Sequence, residues 1–470
     1  MKIIDKLNAF IILFISILVL FGLSLINWTD LTKSESHKGG FIKDYSLFSE
    51  LLPEDTAITD VNVFIDPALI RAQEQASKDK INDSISKEIA KGRFIDSAVI
   101  PVKAPILNGK VIVEDYTLAQ DGLSKFKKAL ANRNNEVVRI GVIGDSYIEG
   151  DIFTQHIREL LQDKFGGNGV GFVALDCMTR NFRKSVKHNA SGWEISLFGD
   201  KVNTNYFALP GIFCKTNGFA TASYFGSTSL KHLENWNCSK FLFISPRSGS
   251  IDVNVGDGWK KHIISGSNKV QCIAINKSTN KFEIKTTPSS LIGLGVWLYD
   301  NSGITVDCMS LRGNSGITHA GVNKEIAHQM NNHIDYDLII VEYGLNALTA
   351  TRKDYTFYAD YMVKVVNHLR SCYPNADILM LGGGDRGVKK GSEICSMATV
   401  ANLIVSQREA ARRAQCLFWD TREAMGGNNA IVSWCKNNDV NKDYIHLSTK
   451  GGERLAKIFV ESLLNSINEK

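Results

Sequence analysis

Two segments far apart in the chain contain the residue types that acyl transfer requires. Ser146 stands in a Gly-Asp-Ser-Tyr turn directly after an apolar run, and Asp443 precedes His446 in a single short segment. A serine hydroxyl attacks a carbonyl carbon only when a base removes its proton, and an imidazole can do so near neutral pH. An aspartate in the same loop can fix the tautomer of the histidine. Taken singly, each motif also fits a turn or a helix cap.

Two further segments could stabilise the negative charge that develops on the carbonyl oxygen. Gly313 lies in the run 311–316, where a residue without a side chain lets the backbone approach a ligand. Asn346 follows an apolar run, and its amide can donate a hydrogen bond to the same oxygen. The backbone N–H of Ser146, in a turn before a helix, can donate there too. The alternative interpretations are an ordinary loop and a turn-stabilising asparagine.

The elements around these segments must bring them together. Short apolar runs alternate with amphipathic stretches, which predicts an α/β fold with a mostly parallel, doubly wound sheet covered on both faces. The predicted strands are 137–143, 337–343, 377–381 and 417–420, and the predicted helices are 118–131, 153–164, 355–372, 397–415 and 451–467. In such a sheet, ligands bind in the loops beyond the carboxyl ends of the strands, where all these segments are expected.

The stretch 183–302 has a different pattern. Alternating runs such as 251–255 and 281–285 are separated by Gly, Ser and Asn turns, and helical periodicity is nearly absent. This pattern is typical of an antiparallel β-sandwich. We therefore predict a jelly-roll-like module inserted into the α/β domain, and assign that domain to 137–182 and 303–470.

The order of the motifs resembles that of the SGNH, or GDSL-like, hydrolase superfamily. Members carry a serine after the first strand, then a glycine, then Gly-x-Asn, then Asp-x-x-His before the last helix. The matching positions here are Ser146, Gly313, Asn346, Asp443 and His446. The resemblance implies a three-layer, flavodoxin-like fold with Ser146 as nucleophile, His446 as base and Asp443 as the partner that orients it. It also implies an oxyanion hole formed by Ser146, Gly313 and Asn346.

Part of the chain is similar to a narrower group, the bacterial cell-envelope SGNH proteins. The segments are 144–151, 161–172 and 418–427. That group includes peptidoglycan O-acetylesterases and the SGNH partners of membrane-bound O-acyltransferases, and it carries a carbohydrate-binding-like β-module at the position of 183–302. The similarity implies a serine esterase acting on O-acetyl or other short acyl esters of a cell-envelope glycan or another glycan. Two alternatives stay open: an O-acetyltransferase that works with a membrane acyl-transfer partner, and a non-catalytic glycan-binding protein.

The first residues predict a membrane anchor. Lys2 and Lys6 precede an uncharged stretch from Leu7 to Trp28, which as a helix just spans a hydrocarbon core of roughly 30 Å. The positive-inside rule keeps the lysines cytoplasmic and sends the rest across the membrane. We interpret 1–29 as an uncleaved anchor and 30–136 as a stalk and N-terminal extension, with the catalytic body in the periplasm. A removed signal peptide is the alternative, and it gives the same location.

Composition argues against several other classes of protein. The net charge of +5 is small for 470 residues and the basic residues are scattered, so we expect no nucleic-acid partner. Neither an HExxH motif nor a CxxC pair occurs, so we expect no metal site and no cofactor. The nine cysteines are interpreted mainly as small buried hydrophobic residues, with one or two disulfides left open.

Overall fold

The computed structural model describes residues 106–107, 110–200 and 204–468. The predicted anchor and most of the predicted stalk and N-terminal extension lie outside these residues. Within the described ranges, no helix is both long enough and apolar enough to cross a membrane.

The described residues form strands and helices in the following order. The strands are β1 (Ile106–Leu107), β2 (Lys110–Val111), β3 (Glu114–Asp115), β4 (Val138–Gly144), β5 (Gly171–Val173), β6 (Lys187–Leu197), β7 (Ile212–Phe225), β8 (Trp236–Ser245), β9 (Gly249–Asn254), β10 (Trp259–Ile264), β11 (Ser267–Thr279), β12 (Lys281–Thr286), β13 (Ile292–Tyr299), β14 (Ile304–Ser310), β15 (Leu338–Glu342), β16 (Asp377–Leu381), β17 (Gly387–Lys390), β18 (Glu393–Ser396) and β19 (Leu417–Trp419). The helices are α1 (Ser124–Ala131), α2 (Thr154–Phe165), α3 (Lys324–Asn331), α4 (Thr356–Cys372), α5 (Val400–Ala414), α6 (Thr421–Met425), α7 (Ala430–Lys436) and α8 (Thr449–Asn468).

A six-stranded sheet with the order β14-β4-β15-β16-β19-β3 forms the centre of the α/β part. Its first five strands run parallel, and β3 joins β19 antiparallel. Every residue of β4, β15 and β16 is buried. Because successive side chains of a strand point to opposite faces, both faces of the sheet must be covered. The predicted mostly parallel α/β sheet is therefore confirmed.

The order of the parallel strands creates a crevice. Numbered along the chain from β4, they lie in the order 2-1-3-4-5, which is the order of flavodoxin-like sheets. Chain connections leave β4 and β15 in opposite directions, so the loops beyond their carboxyl ends part at this point. Open α/β sheets bind ligands at such a switch point. Ser146 follows β4 and Asn346 follows β15.

The inserted region forms a separate antiparallel sheet. Nine strands are joined in the path β10-β9-β12-β7-β13-β8-β11, with β6 paired to β7 and β5 paired to β13. The long strand β7 pairs with β12 through one half and with β13 through the other, so the sheet divides into two arms. Apolar side chains of both arms belong to one buried cluster. The sheet thus curls around its own core, and the jelly-roll description stays a prediction.

Several elements differ from the sequence predictions. The segment assigned to the N-terminal extension contributes α1, with Phe126 and Leu130 buried, and β3 at the sheet edge. Strand β5 lies in the range assigned to the α/β domain but pairs with the inserted sheet. The β17–β18 hairpin and helices α6 and α7 were not predicted, because short elements carry too few residues to display a period. All nine cysteines are unpaired in the structure.

Candidate active site

The carboxyl ends of three neighbouring strands lead to Gly313, Ser146 and Asn346, whereas Asp443 and His446 lie just before α8. Ser310 of β14, Gly144 of β4 and Glu342 of β15 lie side by side in the parallel register. Neighbouring strands are roughly 4.8 Å apart, so the loops that begin here share one small region. A hydrogen bond from the Leu311 N–H to the Gly144 carbonyl oxygen, at 2.8 Å, holds the loop after β14 against the end of β4.

The hydroxyl of Ser146 is in hydrogen-bond contact with the imidazole of His446. Their Oγ and Nε2 atoms are 2.8 Å apart, although the residues are 300 positions apart in the chain. On the other side of the ring, Nδ1 of His446 lies 2.6 Å from Oδ2 of Asp443. A proton on Nδ1 therefore leaves Nε2 as the acceptor for the serine proton.

The loop that carries His446 is held by hydrogen bonds within the loop and by contacts with neighbouring elements. Oδ1 of Asp443 accepts hydrogen bonds from the backbone N–H groups of Ile445 at 2.9 Å and His446 at 3.0 Å. The backbone N–H of Gly387, at the start of β17, donates to the carbonyl oxygen of Tyr444 at 2.8 Å. A side chain on Gly452 of α8 would collide with the Ile152 carbonyl oxygen, so glycine there lets α8 approach the chain just after Ser146.

The charges in this loop shift the pKa values of both partners. Burial alone would lower the pKa of His446, but the hydrogen bond and the charge of Asp443 raise it above its ordinary value. Burial alone would raise the pKa of Asp443, yet the hydrogen bond and charge of His446 hold it below its ordinary value. The pair therefore favours a charged aspartate next to an imidazole with increased basicity.

Two backbone N–H groups in the site have no acceptor in the described part of the chain. They belong to Ser146 and Gly313, neither of which donates a backbone hydrogen bond there. Gly313 has a φ of 72° and open space where a side chain would be, a conformation that favours glycine. Unpaired N–H groups beside a nucleophile are what an oxyanion hole needs.

Asn346 reaches the same region, but its amide is already engaged. Nδ2 lies 2.7 Å from Oδ2 of Asp145 and 3.0 Å from the carbonyl oxygen of Asn314. An amide nitrogen has two hydrogens, and both have acceptors here. In this structure Asn346 links the ends of three strands. It can donate to an oxyanion only by exchanging one of these acceptors.

A buried acidic pair, which the sequence analysis did not predict, lies next to Ser146. Asp145 is 1% exposed and accepts hydrogen bonds from the Tyr147 N–H and from Asn346. Burial raises its pKa to about 6. The side chain of Glu342 is also buried, and burial followed by the charge of Asp145 raises its pKa well above the ordinary value. In the sequence, the only indication of this pair was that an acidic residue, Glu342, ends an apolar strand.

Among the comparisons with known proteins, one solved structure supports, at the level of the fold, the resemblance to the SGNH or GDSL-like hydrolases. A structure of a peptidoglycan O-acetylesterase matches with a TM-score of 0.63 and 23% identity, covering 76% of this chain and 99% of that chain. A family two carbohydrate esterase from Cellvibrio japonicus matches with a TM-score of 0.27 and 10% identity, covering 60% and 99% of the two chains. An acetyl xylan esterase matches with a TM-score of 0.25 and 16% identity, covering 34% and 81%. No protein-family model and no curated protein matches the chain.

Proposed function

We propose that this chain is a serine esterase that removes O-acetyl or other short acyl groups from a glycan. The observation that carries the proposal is the hydrogen-bonded chain from Ser146 through His446 to Asp443, with separations of 2.8 and 2.6 Å. A hydroxyl, an imidazole and a carboxylate in this order can generate a nucleophile near neutral pH.

The reaction begins with a proton transfer. Nε2 of His446 takes the proton of Ser146 as the Oγ atom attacks the ester carbonyl carbon, and Asp443 stabilises the imidazolium that forms. The imidazolium then gives its proton to the departing sugar oxygen, which leaves an acyl group on Ser146. Water, deprotonated by the same imidazole, attacks the acyl-serine, and the imidazolium then returns the proton to Oγ of Ser146 as the bond to the acyl carbon breaks and the carboxylic acid leaves.

The negative charge of each tetrahedral intermediate rests on backbone donors. The N–H groups of Ser146 and Gly313 have no other acceptor in the described residues, so they can donate to the oxyanion without a prior rearrangement. One well-placed donor of this kind typically contributes about 3–4 kcal/mol of transition-state stabilisation. Asn346 is proposed as a third donor, after one amide hydrogen leaves its present acceptor.

The choice of an O-acetylated glycan as substrate comes from the fold comparison. The described fold is similar to that of a peptidoglycan O-acetylesterase over almost the whole of that chain. We extend its substrate class, acetylated glycans, to this chain as a proposal.

Labelling and product analysis test the proposal directly. A fluorophosphonate should label the wild-type protein but not Ser146→Ala, and acetate release from O-acetylated peptidoglycan or xylan should be lost with the labelling. Ser466→Ala, in the last turns of α8, is the matched control because that hydroxyl bonds only to the backbone of its own helix.

The same experiment distinguishes the other functions. If acetate appears on an added oligosaccharide acceptor rather than in solution, then the protein is an O-acetyltransferase, and a membrane-bound O-acyltransferase becomes the proposed donor. Glycan binding without labelling or acetate release would contradict any catalytic role.

We further propose that the enzyme works in the periplasm of a bacterial cell envelope, anchored by the segment 1–29. In intact spheroplasts, an added protease should then digest the catalytic body, and washing with alkaline carbonate should leave it with the membranes. Removing 1–29 should release it. A body protected in spheroplasts would contradict this location.

A further inference from the structure

Two arginines lie, like Ser146 and Asn346, just beyond the carboxyl ends of the parallel strands. Arg312 follows β14 and Arg386 follows β16, while Ser146 and Asn346 follow the two strands between them. In the order of the strands, one arginine therefore lies on each side of Ser146 and Asn346. At the usual strand spacing, Arg386 follows a strand roughly 10 Å from the one that leads to Ser146.

The positive charge of Arg312 is already paired with a neighbouring carboxylate. Its Nη1 atom is 3.3 Å from a carboxylate oxygen of Glu149, and the arginine side chain is 41% exposed. An exposed ion pair of this kind already compensates the positive charge.

Arg386 is different because it is half-buried and poorly compensated. Within the described residues, its side chain makes one hydrogen bond, from Nη1 to the carbonyl oxygen of Leu345, at a long 3.4 Å. In the described ranges of the chain, no carboxylate lies within ion-pair distance of its guanidinium group. Burial lowers the pKa of Arg386, and the charge of Asp443 only partly opposes this.

The remaining donors of Arg386 are accessible to solvent. Among the described residues, no nitrogen of Arg386 is both fully buried and without a hydrogen-bond partner. Because Nε and Nη2 have no partner among these residues, they must be in contact with solvent. The backbone on both sides of the side chain is fixed: the Arg386 carbonyl oxygen accepts from the Met397 N–H at 2.7 Å, and the Gly387 N–H donates to Tyr444. A guanidinium group that extends from a fixed backbone and has free donors can bind the two oxygens of a carboxylate.

We propose that Arg386 binds a carboxylate of the glycan close to the ester that Ser146 attacks. This inference rests on the proposed esterase function and narrows its substrate to acetylated glycans that bear carboxylate groups. The anion supplies the partner that the half-buried charge lacks, and it orients the acetylated sugar across the ends of β15 and β16. Arg386 acts here in substrate specificity and takes no part in the proton transfers.

The test compares two substrates that differ only in charge. The first is an O-acetylated oligosaccharide of a uronic acid, and the second is the same oligosaccharide with its carboxylates reduced to alcohols. The wild-type protein should have a higher kcat/KM for the first, and this preference should decrease with added salt because screening weakens exposed charge pairs. Charge-assisted pairs of this type correspond to a preference of about tenfold to a hundredfold.

Variants assign the preference to Arg386. Arg386→Gln should raise KM for the carboxylated substrate and bring the preference close to one, while Arg386→Lys should restore part of it. Arg370→Gln is the matched control, because Arg370 lies in the last turn of α4, at the opposite edge of the sheet, and the substitution removes the same charge. The control should keep the wild-type preference.

Two outcomes would overturn the inference. Equal kcat/KM values of the wild-type protein for both substrates would show that no carboxylate is recognised. A loss in Arg386→Gln by the same factor for both substrates would show that Arg386 only supports the loop of Asp443. If the wild-type protein cleaves neither substrate and Ser146 is not labelled by a fluorophosphonate, the esterase proposal itself fails, and that result is distinct from both.

Discussion

The amide nitrogen of Asn346 lies 2.7 Å from a carboxylate oxygen of Asp145, the residue directly before Ser146. Asp145 is buried, and its other oxygen accepts from the Tyr147 N–H. The same amide nitrogen also contacts the loop after β14 through Asn314. Asn346 therefore joins the ends of β14, β4 and β15, so its side chain has a structural role in addition to the catalytic one we propose.

Asn346→Ala should reduce the free energy of unfolding by about 1.5–3 kcal/mol, because the buried carboxylate of Asp145 loses the neutral amide that donates a hydrogen bond to it. Urea unfolding measures this change. Asn301→Ala, at an exposed side chain with no hydrogen bond among the described residues, should change stability by less than about 0.5 kcal/mol. Unchanged stability with a kcat reduced by about 10²–10³ would mean that the amide serves the oxyanion alone.

The pH dependence of kcat/KM should report the protonation of His446. Only the neutral imidazole can accept the proton of Ser146, so activity should fall as pH falls through the pKa of His446. Because Asp443 raises that pKa, the midpoint should lie above the ordinary histidine value of about 6.5.

Asp443→Asn should move this midpoint to lower pH, since it removes the charge that raises the pKa. It should also reduce kcat by about 10⁴, because the tautomer is no longer fixed. The midpoint is measured from pH profiles of ester hydrolysis for both proteins. A midpoint that stays in place after the substitution would indicate that another group controls the profile.

Asp151 connects the region after Ser146 to the start of the inserted sheet, and Asp151→Asn should be strongly destabilising. Its carboxylate pairs with Arg158 at 2.8 Å and Arg183 at 3.1 Å and accepts from the Ser185 hydroxyl at 2.6 Å. Breaking a buried ion pair typically costs about 3–5 kcal/mol. Asparagine tolerates the positive φ of 69° at this position, so backbone strain should not contribute.

The sign of the pH dependence provides a second check on Asp151. Although burial raises its pKa, the two arginines lower it to about 2. The stabilisation is therefore present above the unfolded value of about 3.9 and is lost as pH falls toward 2. The difference in unfolding free energy between the wild-type protein and Asp151→Asn should therefore become smaller at acidic pH. Asp257→Asn, at an exposed pair with Lys260, should leave the melting temperature close to that of the wild type.

Glu342 should make the protein less stable as pH rises. Neither carboxyl oxygen has a well-formed hydrogen bond in the described residues, although the backbone N–H of Asp145 weakly favours the charged form. A carboxyl whose pKa is raised by folding stabilises the fold only below its unfolded pKa, and above it the folded state must retain a proton that the unfolded chain releases.

Relative to Glu342→Gln, the wild-type protein should therefore lose up to about 1.4 kcal/mol of unfolding free energy per pH unit between roughly pH 5 and 7. Urea unfolding at several pH values gives the difference. Glu393→Gln, at an exposed position of β18, is the control. Its unfolding free energy should vary with pH in the same way as that of the wild-type protein. A parallel curve for Glu342→Gln would mean that Glu342 is ionised in the fold.

Local patterns were sufficient for much of the α/β part. The apolar runs that became β4, β15 and β16 each end within two residues of the predicted boundary, because a strand buried on both faces has no polar alternation to obscure it. Helix α5 begins at Val400 rather than at the predicted position 397, because residues 397–399 form a turn in which the Val400 N–H donates to the Met397 carbonyl oxygen. Strand β3 was missed, since its two residues, Glu114 and Asp115, have no apolar signal and join the sheet only through pairing with β19.

By itself, the sequence determined the types and the order of the chemical groups: a serine after the first parallel strand, then Gly313, then Asn346, then the Asp443–His446 pair. These depend on neighbours along the chain. Only the tertiary structure decided that His446 lies against Ser146, that both hydrogens of Asn346 are already bound, and that Arg386 lacks a carboxylate partner among the described residues. The reason is physical: hydrogen bonding, burial and charge compensation act through space, between residues that strand register brings together and sequence spacing does not.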